Sequence, residues 1–170
     1  MDSHPGFRWT LRIAACAGAI IVLSSAGRSI AAGVPPNPKD LTQGKWELNL
    51  AKSKFCAAPP RKSTREILDL GWGLIATHWT GTDAAGNPMD IRYVWRYDNE
   101  KYPAEIYKPA SEAISWKLVS PSRVEFVHWS KDDKITSTYV REVSADGQSM
   151  TQTTKIAGKP CGDVQVFERQ

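Results

Sequence analysis

Cysteine, methionine and histidine each occur only three times in the 170 residues, and no low-complexity tract is present. The few histidines and cysteines form no HxH, HExxH or CxxC spacing, so neither a metal site nor a cofactor is expected. No Gly-x-Ser-x-Gly elbow is present and no paired carboxylates fall on the interior face, so the chain is not expected to be an enzyme. Lysine and arginine never cluster into a run, which argues against a nucleic-acid partner. No apolar stretch reaches the roughly 20 residues of a membrane span. A hydrophobic content of 41% with seven tryptophans nevertheless supplies a core for one ordinary domain.

The N-terminus has a separate character. Arg8 and Arg12 precede an apolar stretch over residues 13–26, and the small-residue sequence Ser29-Ile30-Ala31-Ala32 follows. This order predicts a secretory signal peptide over residues 1–32, cleaved after Ala31 or Ala32, and a periplasmic or secreted protein. Ile13-Ala14-Ala15-Cys16 also has the form of a bacterial lipobox, but the main apolar run would then lie after the modified cysteine. Without the leader the chain carries 19 basic and 17 acidic residues, a net of +2. Residues 33–41 form a proline-rich spacer with Pro35, Pro36 and Pro38. Only Cys56 and Cys161 then remain, and in an oxidising compartment they are expected to pair; two buried free thiols are the alternative.

From residue 42 to 170 the dominant pattern has period two, in short runs broken by turn residues about every ten positions. An all-β domain follows. Tight turns define register, because a two-residue connection pairs the flanking residues one by one. Asp146-Gly147 sets Val143 opposite Met150 and Arg141 opposite Gln152, while a turn at Asp132-Asp133 sets Phe126 opposite Tyr139 and His128 opposite Ser137. Both registers put Val124, Phe126, Tyr139, Arg141, Val143 and Met150 on one inner face. Arg123, Glu125 and Glu142 fall on the solvent face. In the first half, a turn at Asn99-Glu100 would pair Tyr97 with Tyr102 and Trp95 with Ala104, and Met89, Ile91, Tyr93, Trp95 and Tyr97 would share a face. A looser connection near Ala84-Ala85 would set Leu74 against Trp95 and His78 against Ile91, leaving Ile75, Trp79 and Val94 outward. Pairing the first strand with the last, Leu50 against Phe167, would close the sheet and bring Cys56 to Cys161. The expected architecture is an antiparallel up-and-down β-barrel of about nine or ten strands, wide enough for an interior cavity.

Gly44-Lys45-Trp46 opening the first strand, the hairpin meander, and the ending Phe167-Glu168-Arg169 together resemble the calycin superfamily of lipocalins and fatty-acid-binding proteins. The string from Trp46 to Phe55 and the Arg141 to Gly147 segment are similar to small exported bacterial lipocalin-like proteins of uncharacterised function. The resemblance implies a lipocalin-like barrel whose late basic residue packs on the first-strand tryptophan. The sequence has neither an evident long helix after the barrel nor a helical lid.

Arg141, Tyr139, Gln152 and His128 are the polar groups on the otherwise apolar inner face, and no acidic residue falls on it in these registers. A buried guanidinium is costly without a partner, so an anionic ligand group could complete it, with Tyr139 donating to the same group. The alternative is an Arg141 at a barrel mouth that reaches water. Tyr93, Trp95 and Trp116 would line the cavity wall or simply fill the core. His78 and His128 could each serve as a haem ligand, although a lone strand histidine is more often only hydrogen-bonded. The expected role is binding of a small apolar or amphiphilic molecule, with an anionic head as one option. The competing role is a non-catalytic protein-binding scaffold or inhibitor in the cell envelope, with a homodimer or partner interface through the Trp79 face.

Overall fold

The computed structural model describes residues 39–103 and 113–170; the leader, most of the spacer and Ala104 lie outside the described residues. Ten antiparallel strands follow one another: β1 (Gly44–Leu48), β2 (Lys62–Gly71), β3 (Leu74–Thr82), β4 (Pro88–Trp95), β5 (Lys101–Pro103), β6 (Ala113–Ser120), β7 (Arg123–Trp129), β8 (Ile135–Val143), β9 (Ser149–Ile156) and β10 (Val164–Arg169). Their spatial order is β4-β3-β2-β1-β10-β9-β8-β7-β6-β5. Pairing of β1 with β10 wraps the meander into a nearly closed barrel, as the alternating pattern requires. The helical content among the described residues is a single 3-10 turn, Leu50–Lys52.

The registers of β7, β8 and β9 are the expected ones, Phe126 facing Tyr139, Val143 facing Met150 and Arg141 facing Gln152, although β7 and β8 reach theirs through a bulge between His128 and Trp129 beside a turn from Ser130 to Lys134. Arg123 lies outside, bonded to Glu125 and Glu142. Three other expectations need correction. First, Leu48 rather than Leu50 faces Phe167, because the chain leaves β1 into the 3-10 turn and Leu50 becomes exposed. The shift is two residues, so the faces are preserved.

Second, Ile75 rather than Leu74 faces Trp95, and His78 faces Arg92 rather than Ile91. This one-residue slip turns β3 over. Ile75 is 1% exposed and Trp79 points inward, where its Nε1 donates to Ser63 Oγ at 2.7 Å. The Trp79 face is therefore no outward surface, and His78 moves to the exterior beside Asp90. Val94 does point outward.

Third, β4 and β5 form no hairpin; they are the two ends of the sheet order. A two-residue type I′ turn needs positive φ at both central residues, and Asn99 has it (φ 63) whereas Glu100 does not. The backbone of Asn99 instead donates to the carbonyl of Trp116. Side chains bridge the gap: Trp95 on β4 stacks on Trp116 of β6, with centroids 4.3 Å apart.

Connections alternate between the two ends of an up-and-down barrel. One end is sealed by Trp46, whose Nε1 donates to the Thr42 carbonyl, and by Arg169, whose guanidinium lies 4.1 Å over the Trp46 ring. That guanidinium also donates to the carbonyls of Leu41, Gln43 and Gly147. Gly44 is required there, since a Cβ would come within 2.6 Å of Arg169 Nη1 and its φ is +119. At the opposite end lie the segment over residues 53–61, the β3–β4 turn and the β9–β10 loop. Cys56 and Cys161 are joined there, with Cα atoms 6.0 Å apart. Closing a loop of 105 residues this way stabilises by about 4 to 5 kcal/mol in the chain-entropy picture.

Candidate functional site

The interior divides into an aromatic half and a polar half. Tyr93, Trp95, Trp116, Phe126 and Tyr139 form a ladder of rings from β4 to β8, with Trp116–Phe126 at 4.1 Å and Phe126–Tyr139 at 4.4 Å and nearly parallel. Trp95 and Trp116 are 0% and 1% exposed and fill the core. Their period-two spacing put them on the inner face, and the gap between β4 and β5 made them the seal of the barrel.

Above this ladder four polar side chains converge. Arg141 is 1% exposed, so it does not reach solvent; it donates from Nε to Gln152 Oε1 at 2.9 Å and lies 4.8 Å over the Phe126 ring. Arg65 on β2, which the sequence reading did not single out, donates from Nη1 to the same oxygen at 2.5 Å and from Nη2 to Gln165 Oε1. Its guanidinium lies against the rings of Trp79 (4.8 Å) and Phe167 (4.6 Å). An arginine can only donate, so Gln152 must present its oxygen to both. Two buried cations thus share one neutral acceptor, and ring faces supply further stabilisation. The sequence signal for Arg65 was its place between Ser63 and Ile67, which alternate inward with it.

His128 is buried beside this pair, and its pKa is pushed down to about 4 by burial and by the Arg141 charge. It is neutral at pH 7. Tyr139 has its phenol pKa raised by burial and accepts from Ser137 Oγ at 3.1 Å. A chamber of about 130 Å³ is lined by Arg65, Gln152, His128 and Tyr139, together with Thr154 and Trp79. The predicted Gln152, His128 and Tyr139 therefore come together. Arg141 stands behind Gln152 rather than at the chamber wall, and Tyr93, Trp95 and Trp116 lie outside it. Among the described residues no three His, Cys, Asp or Glu side chains form a metal-binding group.

A second, more open cavity of about 440 Å³ adjoins the chamber, sharing Trp79, Asp163 and Gln165. Asp163 accepts the backbone N–H of Cys56 at 2.8 Å. Chemically, the chamber wall combines the Arg65 guanidinium, the Asp163 carboxylate and neutral polar groups, so it offers partners to a polar or charged head group.

No family model matches the chain, and no curated protein is similar to it at a significant level. Solved structures share its architecture. The fluorescent protein UnaG is 18% identical, with 75% of this chain and 96% of that one covered and a TM-score of 0.54. A fatty acid binding protein of Schistosoma mansoni in complex with arachidonic acid is 11% identical, with 79% and 99% covered and a TM-score of 0.56. As-p18, an extracellular fatty acid binding protein, is 12% identical over the same shares, also at 0.56. At these identities the likeness shows the fold alone: a ten-stranded antiparallel β-barrel.

Proposed function

We propose that this chain is an exported barrel that binds a small amphiphilic molecule in its interior, with an anionic head at the Arg65 side of the chamber. The observation that carries this reading is the convergence of two buried guanidiniums on the single neutral oxygen of Gln152. Like charges held this close repel, and an anion entering the chamber relieves that repulsion. Tyr139 provides a hydroxyl at the same wall, and Arg141 acts by holding Gln152 and by its charge. The fatty acid binding proteins that share the fold support an apolar body for the ligand. Binding rather than catalysis is the role this arrangement fits.

Fluorescence titration with 8-anilinonaphthalene-1-sulfonate, an aromatic sulfonate, tests the reading. Arg65→Met is expected to weaken binding about tenfold or more while far-UV circular dichroism stays that of a folded barrel, with a smaller loss in Arg141→Met. Equal affinity in wild type and both variants would overturn it. Export is tested by the N-terminus of the protein recovered from envelope or medium, expected to begin at Ala32 or Gly33.

A second reading, a protein-binding scaffold, is favoured by a different surface from the one anticipated. Leu68, Ala76 and Val94 line up across β2, β3 and β4 on the outer face, with Leu70 beyond them and Trp72, 71% exposed, at the β2–β3 tip. Such a patch suits self-association or a partner.

A further inference from the structure

The inner chamber is too small to hold a whole amphiphile. Its 130 Å³ compares with about 300 to 1,000 Å³ for pockets that take drug-sized ligands, and corresponds to roughly four water molecules at ~30 Å³ each. The stacked rings beneath leave no depth to extend into, because Trp95, Trp116 and Phe126 are all at most 4% exposed. A head group fits; a body must lie elsewhere. A larger space adjoins it, the 440 Å³ groove at the mouth, which shares Trp79, Asp163 and Gln165 with the chamber.

The chemistry of that groove differs from the chamber's. Its walls are mainly apolar, Trp79 and Met89 on one side and Phe55, Ala57, Ala58 and Pro60 on the other, with the Asp83 and Asp163 carboxylates at its edges. The residues from Phe55 to Pro60 belong to the strap that connects β1 to β2, where the 3-10 turn is followed by extended chain. The strap is fastened to the β9–β10 side at three points. Lys54 exchanges two backbone hydrogen bonds with Val164, the Cys56 N–H donates to Asp163, and Cys56 is bonded to Cys161. The Lys54 ladder fixes Phe55 and the Arg61 N–H donates to the Thr82 carbonyl at the strap's far end; between them the Cys56 attachments hold Ala57 and Ala58 over the groove.

We propose that this mouth groove is a second, apolar subsite of the binding site, and that the Cys56–Cys161 bridge sets ligand retention by holding the groove's wall. The proposal rests on the interior reading above, and it narrows the ligand class. The ligand has a compact anionic head, of carboxylate or sulfonate size, in the chamber, and an apolar body of ring size or a short chain under the strap. A long chain does not fit within the 130 Å³ chamber itself. The bridge acts as a fixed clasp, so its loss frees the wall without altering the Arg65 and Gln152 cluster.

The test uses the mature protein with its bridge and 8-anilinonaphthalene-1-sulfonate as the probe. Met89→Asp and Ala58→Asp each plant a charge in the groove and leave the bridge intact. Each is expected to weaken binding about tenfold, since an uncompensated charge faces the apolar body. The paired change Cys56→Ser with Cys161→Ser is expected to do the same at a temperature where circular dichroism still reports a folded barrel. Wild-type affinity in both aspartate variants would overturn the groove subsite. Wild-type affinity in the folded serine pair would overturn the clasp. Arg65→Met separates the two levels. If it abolishes binding while the groove variants bind normally, the interior site stands and the groove falls. If it is silent while the groove variants lose binding, the interior reading falls and the groove remains as a site. A wild-type protein that binds no probe would overturn both.

Discussion

Replacing Gln152 by glutamate puts the electrostatic account of the interior to its most direct test. The nitrogens that Arg65 and Arg141 direct at Gln152 Oε1 lie 2.5 and 2.9 Å from it, so they are within about 5 Å of each other. Two unit charges at that separation repel by roughly 3 kcal/mol at an effective dielectric constant of about 20. A carboxylate in place of the amide would be attracted to each guanidinium by roughly 4 kcal/mol on the same scale. Burying that third charge costs several kcal/mol, which leaves a net gain of about 1 to 3 kcal/mol in unfolding free energy at pH 7. Two cations depress the new carboxyl's pKa in the folded state. The gain is therefore complete above the unfolded value of about 4.3 and is lost as pH falls through the folded value. Urea unfolding followed by tryptophan fluorescence, at pH 7 and at stepwise lower pH, measures both. The same change supplies internally the charge that an anionic ligand would bring, so Gln152→Glu should also lose binding of the aromatic sulfonate. A variant less stable than wild type at pH 7, or one whose gain persists unchanged to pH 3, would refute the account.

Three further outcomes are expected. His128 is neutral in the folded barrel with a pKa near 4, against about 6.5 unfolded, so stability is full above pH 6.5 and falls by on the order of 3 kcal/mol by pH 4; His128→Phe should remove that slope in pH-dependent urea unfolding. The serine pair at Cys56 and Cys161 should lose about 4 to 5 kcal/mol in the same assay, from the 105-residue loop it reopens, and a loss under about 1 kcal/mol would argue against the bridge. Trp72 holds a left-handed backbone (φ 56) between Gly71 and Gly73, so Trp72→Asn should raise stability by up to about 1 kcal/mol; under the scaffold reading it should also abolish any dimer seen by sedimentation.

How much of the fold was legible in the sequence depended on distance along the chain. The registers of β7, β8 and β9 were legible because their connections are short and local: Asp146-Gly147 sets β8 against β9 directly, while the turn from Ser130 to Lys134 is one residue out and the bulge between His128 and Trp129 restores the expected pairing. A meander of nine or ten strands, the pairing of the first strand with the last and the meeting of Cys56 with Cys161 were legible in alternation and turn spacing, and the Trp46–Arg169 contact in the resemblance to calycins. Where the connection was longer, the sequence allowed two neighbouring registers. The β3–β4 turn admitted either, and packing of Ile75 and Trp79 against the interior chose the one that local chemistry did not. The same limit hid Arg65. Its inward phase was visible beside Ser63 and Ile67, but nothing local brought β2 to β9, and only the curvature of the closed sheet delivered both guanidiniums to Gln152. The separation of β4 from β5 was likewise non-local, decided by Trp95 stacking on Trp116 across twenty intervening residues. Local turns and period-two patterning thus determined the strands and the inner face of the second half. The polar cluster, the gap and the groove under the strap belong to the tertiary structure, because each is made by residues that only barrel closure brings within reach.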